Sequence, residues 1–284
     1  MSTITFVGIG AIGVPMARLL VGAGHDVTGV DPFEAARQRA EAAGVSAVAS
    51  FAEAAPAELV IVMVATPAQL DELVGQAGDR AAGQSWVIMS TVGPDAVRAA
   101  AERLAAVGAR VVDAPVTGGV ARATTGELLV FASGRPELLA SVTPALAVLG
   151  TVRAVGDRIG DGQAIKVVNQ HLCSVHIVAA AEALNLAESL GLDSAEVLEL
   201  IGGGAAGSWM LGDRGPRMLL DADVPVTSTV NIFVKDSGLV ADAAAGSGAD
   251  VPLLLHARQR FVDAAAAGLG LHDDSRVIEG YRRG

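Results

Sequence analysis

The chain has 284 residues, 51% of them hydrophobic and only 3% aromatic, with a formal net charge of −11. That length suggests two domains, and the apolar content suffices for a core without disulfide or metal staples. The acidic balance argues against nucleic-acid and membrane partners, and a single cysteine, Cys173, leaves no intramolecular disulfide or multi-thiolate metal site.

No uninterrupted apolar run reaches the roughly 18–20 residues of a membrane span. Met1–Thr5 has no basic stretch of the kind that opens a secretory signal. A soluble, cytoplasmic chain is therefore expected. In chain order, strand-like runs fall at Ile4–Val7, Val27–Val30, Leu59–Val64, Trp86–Met89, Val111–Val112 and Leu128–Phe131. Helical patterns alternate with them at Ala11–Ala23, Pro32–Ala43, Ala68–Leu73, Pro94–Val107 and Pro136–Leu149. Near-continuous Val/Ile strands separated by helices predict a parallel sheet covered on both faces, a doubly wound α/β domain of the Rossmann type. No strand-like run appears after Val155. From Gln163 a helical pattern runs to about Leu190, followed by stretches at Ser194–Ile201, Met210–Leu220, Asn231–Ala245 and Pro252–Ala267. The reading is an α/β domain over residues 1–162 and an all-helical domain over 163–284.

Gly8-Ile9-Gly10-Ala11-Ile12-Gly13 lies between the first strand and the first helix. In that context Gly8 makes the tight turn, Gly10 lets a pyrophosphate approach the backbone, and Gly13 allows close helix–strand packing. The helix opening at Ala11 and Ile12 offers N–H groups and a positive dipole end. The second strand ends at Asp31, where a carboxylate would accept hydrogen bonds from ribose hydroxyls. Pro32 and Phe33 follow, and no cation close in sequence answers a 2′-phosphate, so NAD is favoured over NADP. Thr66 and Thr91 close the next strands, where each could touch the cofactor or cap the following helix.

Asp113-Ala114-Pro115-Val116-Thr117-Gly118-Gly119 ends a further strand, and the Thr-Gly-Gly turn could form a nest of N–H groups for a carboxylate. All but two of the 20 basic residues are arginine; the exceptions are Lys166 and Lys235. Lysine, unlike arginine, can exchange its proton near neutrality when buried. Lys166 opens the long helix, with Asn169 and Gln170 at i+3 and i+4 on the same face. A polar patch on an otherwise apolar helix, turned toward the carboxyl ends of the strands, suits a catalytic site better than a snorkelling surface lysine.

Together, Gly8–Met16 (GIGAIGVPM), Asp113–Gly119 (DAPVTGG), Gly160–Gln170 (GDGQAIKVVNQ) and Val234–Asp242 (VKDSGLVAD) resemble the β-hydroxyacid dehydrogenase family, in family order and across both domains. The resemblance implies that Lys166 is the acid/base, that Thr117, Gly118 and Gly119 hold substrate, and that Lys235 and Asp236 lie near the nicotinamide end of the site. The family usually has a second Asn where this chain has Gln170. Further segments, Gly207–Met210, Gln170–Leu172, Val175–Ile177, Asn231–Asp236 and Asp273–Ser275, resemble the branch of the family that oxidises L-threonate with NAD. On that resemblance Ser208, Asn169 and Gln170 suit a polyhydroxy acid, and Trp209 would wall the pocket. A semialdehyde reductase or 3-hydroxy acid dehydrogenase is the alternative, and a non-catalytic NAD-binding sensor is a third reading. Asp273 and Asp274 have no accompanying His/Glu cluster and read as a helix cap or interdomain contact, not a metal site. His176 and Cys173 read as packing residues. The apolar helical domain implies a homodimer or homotetramer, with the long helix as interface.

Overall fold

The computed structural model describes residues 1–220 and 224–282. Two compact units divide it, Met1–Lys166 and Val167–Gly284. The first is an α/β unit. Its strands are β1 (Thr3–Val7), β2 (Asp26–Val30), β3 (Ser46–Val48), β4 (Leu59–Val62), β5 (Ser85–Ile88), β6 (Arg110–Asp113), β7 (Val116–Thr117), β8 (Leu128–Ser133) and β9 (Gly150–Gly156). Its helices are α1 (Gly13–Gly22), α2 (Glu34–Ala42), α3 (Pro67–Ala77), α4 (Pro94–Ala106), α5 (Gly119–Thr125) and α6 (Pro136–Ala147). Helix α7 (Asp161–Ser189) then runs from the first unit into the second.

The strand order is β3-β2-β1-β4-β5-β6-β8-β7, with β9 on β8. The first six strands are parallel. Beyond them the sheet is mixed, because β8 runs antiparallel to both β6 and β7 while β9 is parallel to β8. The parallel part is buried on both faces, which explains its continuous apolar strands. Ile4, Phe6, Leu59, Ile61 and Val87 enter one core, and their neighbours Val7, Val60, Val62, Trp86 and Ile88 enter the core on the opposite face. Strands β3, β7 and β9 lie outside the sequence-read set. Each is short or edge-lying and partly exposed, so it carries little of the apolar signal that marks the central strands.

Helix starts follow local chemistry. Thr66 and Gln69 form a reciprocal capping box ahead of Pro67, and Pro94 and Pro136 occupy first-turn positions where a missing N–H costs nothing. The second unit is helical: α8 (Ser194–Gly202), α9 (Trp209–Met218), α10 (Val230–Ser247), α11 (Pro252–Ala264) and α12 (Glu279–Arg282), with a short 3-10 turn at Asp274–Ile278. Its core gathers Ile177, Ala181 and Leu184 of α7 with Met218, Phe233, Phe261 and Ile278. Among the described residues no helix is long and apolar enough to cross a membrane.

Candidate active site

The parallel register sets the site's position before any side chain is considered. Val7 pairs with Val30 and with Val62, Val62 with Ile88, and Ile88 with Asp113. All five strands therefore end level, and the residues that follow them share one edge. Gly8, Asp31, the Met63–Thr66 turn, Ser90–Thr91 and Ala114 all lie there. The strand order reverses at β1 and β4, and ligands of open parallel sheets bind outside the carboxyl ends at such a reversal.

The three motif glycines have different reasons to be glycine. A Cβ on Gly8 would stand 2.4 Å from the Met63 carbonyl oxygen, and one on Gly13 would stand 2.0 Å from that of Gly8. Both are required by the protein's own packing. A Cβ on Gly10 would meet nothing within 4 Å, so the fold itself does not demand glycine there. The open space beside Gly10 fits close approach of a dinucleotide phosphate, with Ala11 and Ile12 at the opening of α1.

Asp31 is buried, and its Oδ1 accepts the Phe33 N–H at 3.0 Å. The guanidinium of Arg37, one turn into α2, folds back to donate to the carbonyls of Asp31 and Pro32, each at 2.9 Å. Sequence reading saw no cation near this turn. The helix returns one to it, because a residue six positions on lies beside the turn that begins the helix. The Thr66 hydroxyl accepts the Gln69 N–H as the cap of α3. Thr91 does not cap α4, whose N-cap is Gly93.

The turn read at Thr117–Gly119 is preceded by a short strand that the sequence did not show. Val116–Thr117 is a strand paired with β8, and Gly118 and Gly119, at φ +133° and +66°, turn the chain into α5. Thr117 is half-buried at that turn.

Lys166, 7% exposed, sits in the second turn of α7. One turn earlier is a buried junction that sequence reading missed. Asp113 Oδ2 accepts the N–H groups of Gly160 and Gln163 and the Ser133 hydroxyl, and Oδ1 accepts the Gln163 side-chain amide at 3.0 Å. The same amide NH2 donates to the Ser90 carbonyl, and Gln163 Oε1 accepts the N–H groups of Val92 and Gly93. Burial pushes the Asp113 carboxyl above its ordinary value, against the lowering effect of these hydrogen bonds. The junction ties the start of α7 to the ends of β5, β6 and β8. Its one signal in the sequence is a Gln one turn ahead of the lysine.

In the second unit, Asn169, Gln170, Asp236 and Lys235 form a connected line. Gln170 Nε2 donates to Asp236 Oδ2 at 2.5 Å, and Lys235 Nζ lies 2.7 Å from Oδ1. Asn169 Nδ2 donates to Gln170 Oε1 at 2.8 Å and contacts Cys173 Sγ at 3.3 Å. The Ser208 hydroxyl caps α9 by accepting the Leu211 N–H, and the Arg214 guanidinium lies over the ring of Trp209, which is 48% exposed, at 5.9 Å from its centroid. Arg214 in turn holds Asp274 in a two-pronged buried pair at 2.9 and 2.8 Å. Asp273 caps the 3-10 turn through the Ser275 N–H and binds Arg217. Burial pushes its carboxyl up, but its hydrogen bonds to Ser275 and Thr227 and the charge of Arg217 hold it below the ordinary value. These carboxylates are engaged in pinning the C-terminal turn to α9, and among the described residues no group of three or more metal-type ligands is assembled.

Two family models match the chain. Residues 3–160 match the NAD-binding domain of 6-phosphogluconate dehydrogenase, and residues 160–281 match the model described as NAD-binding of NADP-dependent 3-hydroxyisobutyrate dehydrogenase. The chain is 37% identical to the L-threonate dehydrogenase of Cupriavidus necator over 279 residues, 96% of this chain and 94% of the relative. Identity is also 37% to the L-threonate dehydrogenase of Escherichia coli K12, over 96% and 92% of the two chains. A crystal structure of 3-hydroxyisobutyrate dehydrogenase from Salmonella typhimurium superposes with a TM-score of 0.90 at 33% identity, covering 98% of this chain and 99% of that one. The protein is thus a nicotinamide-dinucleotide-dependent dehydrogenase acting on a hydroxyl group. It belongs to the 3-hydroxyisobutyrate dehydrogenase-like family of β-hydroxyacid dehydrogenases.

Proposed function

We propose that the protein oxidises a small sugar acid, L-threonate, to its 2-oxo acid with NAD, using Lys166 as acid/base. The observation that carries this is the coincidence of a buried lysine at the head of α7 with full-length similarity to L-threonate dehydrogenases. When bound, NAD supplies the acceptor for the hydride that leaves the carbinol carbon. Lys166 Nζ takes the hydroxyl proton as the C–O bond becomes a carbonyl, and so must be neutral at that moment. Gly8, Gly10, Ala11, Ile12 and Gly13 form the phosphate turn, with Asp31 for the ribose and Thr66, Thr91 and Lys235 as further cofactor contacts. The Thr117–Gly119 turn holds the substrate carboxylate, Asn169, Ser208 and Trp209 complete the substrate contacts, and Gln170 serves the substrate site through Asn169. The Asp31 carboxylate supports NAD over NADP, although Arg37 places a positive charge at the same turn.

The family relationship also supports a second reading, in which a semialdehyde or 3-hydroxy acid such as 3-hydroxyisobutyrate is the substrate. Self-association through α7 is part of the proposal: Val168, Leu172 and Leu186 are exposed at three- and four-residue multiples along it.

The test is NAD and NADP reduction over C3–C5 hydroxy acids by the wild type and by Lys166→Ala. Threonate should be turned over with NAD, and the variant should lose about 10²–10⁴-fold in kcat while still binding NADH. Near wild-type turnover by Lys166→Ala would sink the assignment.

A further inference from the structure

We infer that Asp236 is a positioning residue that sets the polarity of the amide pair beside Lys166, so that the site accepts a hydrogen bond from a second substrate hydroxyl. The inference rests on the reading of Lys166 as acid/base and narrows the substrate class of that same site.

Asp236 is 4% exposed on α10. A carboxylate offers lone pairs only, so the Gln170 amide has one usable orientation against it, NH2 inward, at 2.5 Å from Oδ2. Oδ1 has no hydrogen bond of good angle and is answered by the Lys235 charge at 2.7 Å. With its NH2 committed, Gln170 turns Oε1 toward Asn169, which must then present its own NH2, at 2.8 Å. The same Asn169 nitrogen meets Cys173 Sγ. The donors of Asn169 are therefore spent inside the protein, and the polar atom it has left is Oδ1, an acceptor.

That polarity has a chemical consequence. Asn169 is three residues beyond Lys166 on α7, one helical turn along the same face. An acceptor there repels a carboxylate or carbonyl oxygen and welcomes an O–H. The substrate carboxylate must be held elsewhere, and a hydroxyl neighbouring the reacting carbinol is the group that fits. A polyhydroxy acid satisfies this acceptor; an alkyl-substituted hydroxy acid of the same length leaves it unpaired. Sites built around such a bond discriminate strongly against the analogue that lacks the group. Reversal of the Gln170 amide would reverse Asn169 as well, and Asp236 is the residue that forbids it.

The experiment is steady-state kinetics of the full chain with NAD. It uses whichever threonate or erythronate isomer is turned over fastest, and that compound's analogue lacking the hydroxyl next to the oxidised carbon. The wild type should prefer the hydroxylated compound by about 10⁴-fold or more in kcat/KM. Asp236→Asn, whose side chain can offer either end to Gln170, should reduce the preference to about 10²-fold or less, the selectivity of a site without a directed bond. The change should fall on the hydroxylated substrate. Gln170→Met breaks the same line while leaving the Asp236–Lys235 pair, and should do likewise; it decides the question if Asp236→Asn does not fold. A wild type indifferent to the hydroxyl, or a folded variant that keeps the wild-type preference, overturns the inference. Lys166→Ala, assayed alongside, separates the two claims: retained turnover overturns the acid/base reading. Lost turnover together with an unchanged preference in the Asp236 and Gln170 variants overturns only the role of Asp236.

Discussion

Gly10 and Gly13 stand three residues apart in one motif, yet opposite physical reasons hold them. Adding a methyl group at Gly13 drives it into the Gly8 carbonyl oxygen, and overpacking of this kind costs about 1–3 kcal/mol. Gly13→Ala should therefore lower Tm, measured by thermal denaturation. Gly10→Ala meets no protein atom and should leave stability within about 0.5 kcal/mol of the wild type, as a substitution in open space does. It should nevertheless weaken NADH binding by at least about tenfold, roughly 1.4 kcal/mol, in a fluorescence titration. Unchanged NADH affinity in Gly10→Ala would mean that the turn does not face the cofactor. The motif, Asp31 and the two solitary lysines were all visible in the sequence, because each depends on neighbours within a few residues. Arg37 was not, because its approach to the Asp31 turn depends on how α2 leaves the strand.

Among the elements, the start of α7 depends most on distant partners. Asp113, Ser133 and Gln163 come from three segments, and their hydrogen bonds supply donors to both oxygens of the buried carboxylate. Because the folded carboxyl titrates above the ordinary 3.8, the folded state holds this proton more tightly than the unfolded chain. Its contribution to stability is complete below the unfolded value and declines as pH rises through the folded one. Asp113→Asn cannot titrate. The stability of the wild type relative to this variant should be greatest in acid and shrink as pH rises above about 3.8. Thermal denaturation of both proteins across that range checks the sign, and a difference that grows with pH would contradict it. The sequence marked Asp113 only as part of a turn. Neither its burial nor its link to Gln163, 50 residues on, has a local signature.

For the whole molecule, the apolar stripe of α7 carries the proposed self-association. Leu172 and Leu186 are 49% and 56% exposed, an arrangement a lone helix in water does not favour. Replacing both with Glu should reduce the mass seen by light scattering while far-UV dichroism remains unchanged. A wild type that is monomeric at assay concentrations would refute the interface.

The division into an α/β part and a helical part, and the class of cofactor, were determined by the sequence alone. Both rest on periodic or contiguous signals: buried parallel strands are apolar throughout, helices repeat every three to four residues, and the phosphate turn is a single stretch. Only the tertiary structure decided that the sheet turns antiparallel after β6, that Gln163 joins the ends of β5 and β6, and that Asp236 holds Gln170 across 66 residues. Those contacts are made between segments remote in the chain. Which residues meet there is set by packing, and packing leaves no period in the sequence to read.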